Sequence, residues 1–101
     1  MQLTDHNALL LRAAQPMADW VNGLQSDAVL VPADLEPDLY LLPGSDDPEA
    51  EEQLLKAHFI RFFENALQTW TDERQRWPDR LDWETFCRWF SWEFVGMVWQ
   101  V

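Results

Sequence analysis

Glycine is scarce in this chain: Gly23, Gly44 and Gly96 are the only three among 101 residues. Three isolated glycines write neither a phosphate-cradling loop nor a Gly-x-Ser-x-Gly nucleophile turn. The single cysteine, Cys87, excludes an intrachain disulfide. His6 and His58 lie far apart and belong to no HExxH motif, so zinc has no recognisable ligand set. Long apolar runs are missing too: nothing approaches the roughly 20 apolar residues that span a bilayer. The N-terminus carries no cleavable signal pattern, and the expectation is a cytoplasmic chain that does not enter the membrane.

Positive charge is the other shortage. Seven Lys and Arg face eighteen Asp and Glu, a net charge of −11. Ten of those acids (Asp19, Asp27, Asp34, Glu36, Asp38, Asp46, Asp47, Glu49, Glu51, Glu52) fall in residues 13–55, which hold no Lys or Arg at all. Such a block repels nucleic acid and attracts basic surfaces. Asp34, Glu36 and Asp38 have the spacing that opens a calcium loop, but Leu39 stands where that loop needs glycine and Ser45 where it needs the closing Glu. Arg74, Arg76 and Arg80 form the one basic cluster, with Asp72, Glu73, Asp79 and Asp82 beside it. No catalytic residue, metal ligand or cofactor site is assigned.

What is abundant is aromatic surface. Of seven tryptophans, Trp77, Trp83, Trp89, Trp92 and Trp99 sit near the C-terminus, interleaved with Phe86, Phe90 and Phe94. Hydrophobic residues make up 48% of the chain, enough for one domain over residues 1–101 to bury a core.

Leu9, Leu10, Ala13, Met17, Trp20, Val21 and Leu24 recur at helical spacing, which predicts a first helix from Thr4 to Asn22, kinked at Pro16, with a new helix that starts with Pro16 in its first turn as the alternative. Residues 25–47 follow no helical rhythm. They are predicted as an extended acidic, proline-containing segment draped over the helices and anchored by Val29, Val31, Leu39, Tyr40 and Leu42, with a short β-hairpin from Ala28–Val31 and Leu39–Leu42 as the alternative. Asp47 and Pro48 open a second helix running to Glu73, with Leu55, Phe59, Phe62, Phe63, Ala66, Leu67 and Trp70 on its apolar face. Asp82 caps a third helix. The expected fold is therefore mainly α, a small three-helix bundle.

On that third helix, Trp83, Phe86, Cys87, Phe90 and Phe94 would share the core face, with Cys87 as a buried small hydrophobe. Trp89, Trp92 and Trp99 would form a second face, with Gly96 as a notch for close approach; that face is covered either by the first helix and the acidic segment, through Trp20 and Tyr40, or by another protein. The functional expectation is a non-enzymatic protein-interaction or regulatory module. Its interface would be Trp89, Trp92, Gly96 and Trp99, and Asp34, Glu36, Asp38 and Asp46 would be the acidic surface that steers a basic partner. A homodimer is the simplest form of such contact. The runner-up is an acidic nucleic-acid mimic that occupies a basic DNA-binding protein, and a third reading is a domain with no separable activity.

Overall fold

A computed structural model describes residues 1–25 and 27–101. It contains three helices, but also five strands, and the strands overturn the three-helix bundle. In chain order the elements are β1 (Gln2–Leu3), β2 (His6–Ala13), α1 (Gln15–Leu24), β3 (Asp38–Pro43), α2 (Pro48–Gln68), α3 (Trp83–Trp89), β4 (Phe90–Val95) and β5 (Trp99–Gln100). Short 3-10 turns at Pro32–Asp34 and Arg74–Arg76 shape the connections. Ser26, inside the acidic 25–47 segment, lies outside the described residues.

β2 is the centre of a three-stranded antiparallel sheet in the order β3-β2-β4. Leu9 stands opposite Tyr40 on one side and Phe94 on the other. β1 and β5 form a two-stranded antiparallel ribbon. The Thr4 N–H bond to the Val98 carbonyl (2.8 Å) leads the β2–β4 ladder toward that ribbon. At the opposite end, Ala14 N–H donates to the Trp89 carbonyl at 2.8 Å.

Two sequence runs that read as helix are strands, and their pairing registers set alternate residues on opposite faces. Leu9 and Leu11 turn inward with Asn7, while Leu10 and Arg12 turn outward, the period of two that a strand imposes. The apolar run of β2 fits a helical template over a few residues, but its inward and outward sets fit only the strand. Pro16 therefore does not kink a long helix; as in the alternative reading, it occupies the first turn of α1, where the missing N–H costs nothing. At the C-terminus the 3.6 period of Trp83 and Phe86 stops at Trp89. Phe90, Trp92 and Phe94 then face inward and Ser91, Glu93 and Val95 outward.

All three helices cover the same face of the sheet. One core cluster joins Leu9 and Leu11 of β2, Met17 and Val21 of α1, Leu55, Phe63 and Leu67 of α2, and Phe86 and Phe90 around the α3–β4 junction. Phe63 lies at its centre, wholly buried, with ring centroids 5.8 Å from Phe86, 5.6 Å from Trp89 and 5.4 Å from Phe90. Tilted and edge-on pairs of this kind add about 0.5–1.5 kcal/mol each beyond area burial.

The starts of α2 and α3 are as the sequence dictates. Asp47 accepts a hydrogen bond from the Glu49 N–H (3.0 Å) with Pro48 in the first turn of α2, and Asp82 accepts one from the Thr85 N–H (2.8 Å) at α3. α2 ends at Gln68, short of the expected Glu73. The draped segment is held in part as expected, with Leu42 buried and Tyr40 packed on the core, and in part by other contacts: Asn22 exchanges two 2.8 Å hydrogen bonds with the backbone of Leu30, and Leu35 is buried. Val29 and Val31 are exposed. β3 does form within the segment, but it pairs with β2 rather than with residues 28–31.

Candidate interaction surface

The four residues expected to share one helical face are separated by the helix-to-strand switch. Trp89 ends α3 and packs against Trp20 (6.2 Å) and Phe63, so it is part of the inner layer. Trp92 turns inward on β4, 5.6 Å from both Trp83 and Phe86. Trp99, opposite Leu3 in the ribbon, leaves 52% of its surface exposed. Gly96 follows β4, and a Cβ placed there meets nothing within 4 Å, so it is no notch. Of the expected interface only Gly96 and Trp99 lie at the surface, and the structure does not bring the four together.

The acidic residues are also dispersed. The Asp34 carboxylate closes its own turn by accepting the Val31 N–H (2.9 Å). Glu36 is exposed and Asp38 half-buried at the start of β3, where both line a cavity of about 270 Å³ with Leu11, Met17 and Trp70. Burial pushes the Asp38 carboxyl above its ordinary range. Asp46 lies beyond the far end of β3, in the connection to α2. None of the four occupies an outer-face position of the sheet.

Several smaller expectations can be placed as well. Cys87 is exposed rather than buried, and partial burial followed by the Glu52 charge pushes its thiol up, the direction opposite to an activated nucleophile. Arg74 pairs with Glu64 at 3.2 Å and lies 4.7 Å over the Trp77 ring, which occupies part of the basic cluster. Among the described residues no group of three or more His, Cys, Asp or Glu is positioned to hold a metal ion. No helix among them is long and apolar enough to cross a membrane.

The surface that sequence reasoning missed is the outer face of the sheet. With every helix on the inner side, Leu10, Leu39, Leu41 and Val95 look outward from three adjacent strands. Leu39 and Leu41 are each 60% exposed, and Val95 is 36% exposed. Leu10 lies directly opposite Leu39, and Ala8 opposite both Leu41 and Val95, so these side chains form one contiguous patch. Its only charged members on the three strands are Arg12 and Glu93. A chain of net charge −11 thus keeps one sheet face apolar and charge-balanced. The signal was present in the alternation of Ser91, Glu93 and Val95 against Phe90, Trp92 and Phe94, but it becomes visible only when the run is read with a strand period.

The chain matches no protein-family model, no curated protein and no solved structure.

Proposed function

We propose that this chain is a non-enzymatic protein-interaction module that self-associates through the open face of its sheet, working in the cytoplasm where a lone thiol stays reduced. The observation that carries the reading is the exposure of Leu39 and Leu41, 60% each, beside Leu10 and Val95 on a face that no helix covers. Contiguous apolar surface of this kind is rare on monomers and is characteristic of contact sites. Sheets pack face to face about 10 Å apart by interdigitating such side chains.

A second copy suits the face better than a basic partner does. The patch presents no excess of acid, so it offers a cationic surface nothing to pair with. It does present one Arg and one Glu, and a twofold axis through the patch lets Arg12 of each copy approach Glu93 of the other. The acids that would steer a basic partner lie off this face.

The test is a dilution series followed by ¹H–¹⁵N NMR. The amide signals of Leu10, Leu39, Leu41 and Val95 should move with concentration while those of the buried Leu9 and Phe63 stay fixed. Concentration-independent spectra up to millimolar protein would overturn the reading.

A further inference from the structure

A second surface lies at the edge of the sheet. β3 has β2 on one side only, so its outward backbone N–H and C=O groups have no strand partner. α2 runs alongside that edge, and between them is a cavity of about 550 Å³. Its strand wall is the consecutive run Tyr40–Pro43; its helix wall is Leu54, His58, Arg61 and Asn65, with Phe62 at the floor. These helix positions repeat at the spacing of one face. From Leu54 to Asn65 the helix rises about 16 Å. Five residues of extended chain cover roughly the same distance. The groove therefore has the length and the open backbone of a vacant fourth-strand position.

Its chemistry is uneven along its length. At the Pro43 end, near the start of α2, stand Asp46, Asp47 and Glu49. From the Tyr40 end, where Asn65 bonds Tyr40, the helix wall runs through Arg61 and then His58 to Leu54, so Arg61 is the cation nearest that end; it meets no acid within ion-pair distance among the described residues. The Tyr40 ring packs on Phe62 (4.6 Å), and its hydroxyl oxygen accepts the Asn65 amide N–H at 2.8 Å. That leaves the phenolic O–H free to donate, and burial keeps the phenol above its ordinary range, hence protonated. One anionic end of the groove and one cationic, hydroxyl-bearing end fix a direction for anything lying in it.

We infer that this groove receives an extended segment of a partner protein that adds to β3 as an antiparallel strand and places a carboxylate against Arg61 and the Tyr40 hydroxyl. Antiparallel addition enters at Pro43 and leaves at Tyr40, so the C-terminal end of the segment meets Arg61 and the start of it lies near the acids of α2. Backbone pairing supplies affinity, and alternate apolar side chains rest on Leu54 and Phe62, the mode known as β-augmentation. Pro37 before β3 and Pro43 at its end bracket the edge, which limits the addition to a short segment. Of the apolar patch on the open sheet face, Leu41 alone also lines this groove.

The test uses the intact chain and a short acetylated peptide of alternating valine and threonine, with either a free C-terminal carboxylate or a C-terminal amide, titrated by ¹H–¹⁵N NMR. The free acid should bind saturably, shifting the signals of Tyr40–Leu42 and of His58–Asn65. The amide should bind about tenfold more weakly, the size of a lost charge-assisted hydrogen bond. Arg61→Gln, a change at an exposed side chain, should reduce free-acid affinity by about the same factor and leave the amide unchanged. A peptide N-methylated along its backbone should not bind. A carboxylate used by either a chain terminus or an acidic side chain is separated by repeating the amide with a glutamate at its last position, which should recover affinity if a side-chain carboxylate suffices. Equal affinity for free acid, terminal amide and the glutamate-bearing amide, signals that move on Leu10 and Val95 instead, or no saturation at millimolar peptide would each overturn the inference.

Discussion

Leu10 on the central strand lies directly opposite Leu39 on the edge strand, and this pair faces away from the helices. One position earlier, Leu9 faces Tyr40 and is wholly buried. Two neighbouring leucines on one strand thus have opposite duties, and only the inner one is explained by folding.

That difference predicts opposite mutational costs. Leu9→Ala should lower the free energy of unfolding by about 2–5 kcal/mol in urea titrations. Replacing Leu39 and Leu41 together by serine should leave stability within about 0.5 kcal/mol per site of the parent chain, as for exposed positions. A large loss from the double serine variant would mean that the outer face contributes to the fold itself.

The tryptophans separate in the same way. Trp92→Ala removes a ring packed on Trp83 and Phe86 and should destabilise by about 3 kcal/mol. Trp99→Ala, at a half-exposed site in the ribbon, should cost less than about 1 kcal/mol. Thermal melts of the two variants side by side distinguish core from surface.

Two glycines differ sharply. A Cβ on Gly44 would run into the backbone carbonyl of Asp5, in a turn where the buried Asn7 amide also donates to the Ser45 carbonyl at 2.7 Å. Gly44→Ala should therefore destabilise by about 1–3 kcal/mol, the range for forced overpacking. Gly96→Ala has open space and should change stability by less than about 0.5 kcal/mol.

Asp38 and Asp82 should give pH dependences of opposite sign. Burial raises the Asp38 carboxyl, so the folded chain holds that proton more tightly than the unfolded chain, and ionisation above the ordinary value of 3.8 costs stability. Asp38→Asn should be more stable than the parent at pH 7, with the gain vanishing well below that value. Hydrogen bonds from the Thr85 side chain and backbone lower the Asp82 carboxyl, so its contribution is complete above 3.8 and fades as pH falls through the depressed folded value. Asp82→Ala should be less stable at pH 7, and the gap should narrow in acid. Melting temperatures from pH 2 to pH 7 test both signs in one series.

How much of this was legible in the sequence follows from period and capping. Asp47 with Pro48, and Asp82 three residues before Thr85, marked two helix starts correctly because a cap is a local device that needs no tertiary partner. The apolar face of α2 was also readable, since twenty-one residues sample the helical period many times. β2 and β4 were not, because eight and six residues of mixed apolar and aromatic character fit a helical face and a strand almost equally well. Once Phe90 is read as helical, Trp92 falls on a second helical face with Trp89 and Trp99, which hides the open sheet face. The edge groove was beyond sequence reasoning altogether: it depends on β3 pairing with β2 across the length of α1, a non-local fact.

The most direct test of the central reading is sedimentation equilibrium of the parent chain and of the Leu39→Glu, Leu41→Glu double variant at low and at high salt. Apolar contact between two copies of net charge −11 should tighten as salt screens their repulsion, giving a mass that approaches the dimer at high salt. The double glutamate variant should stay monomeric throughout. A monomeric parent chain at every salt concentration, or a dimer that the two glutamates leave intact, would contradict the proposal.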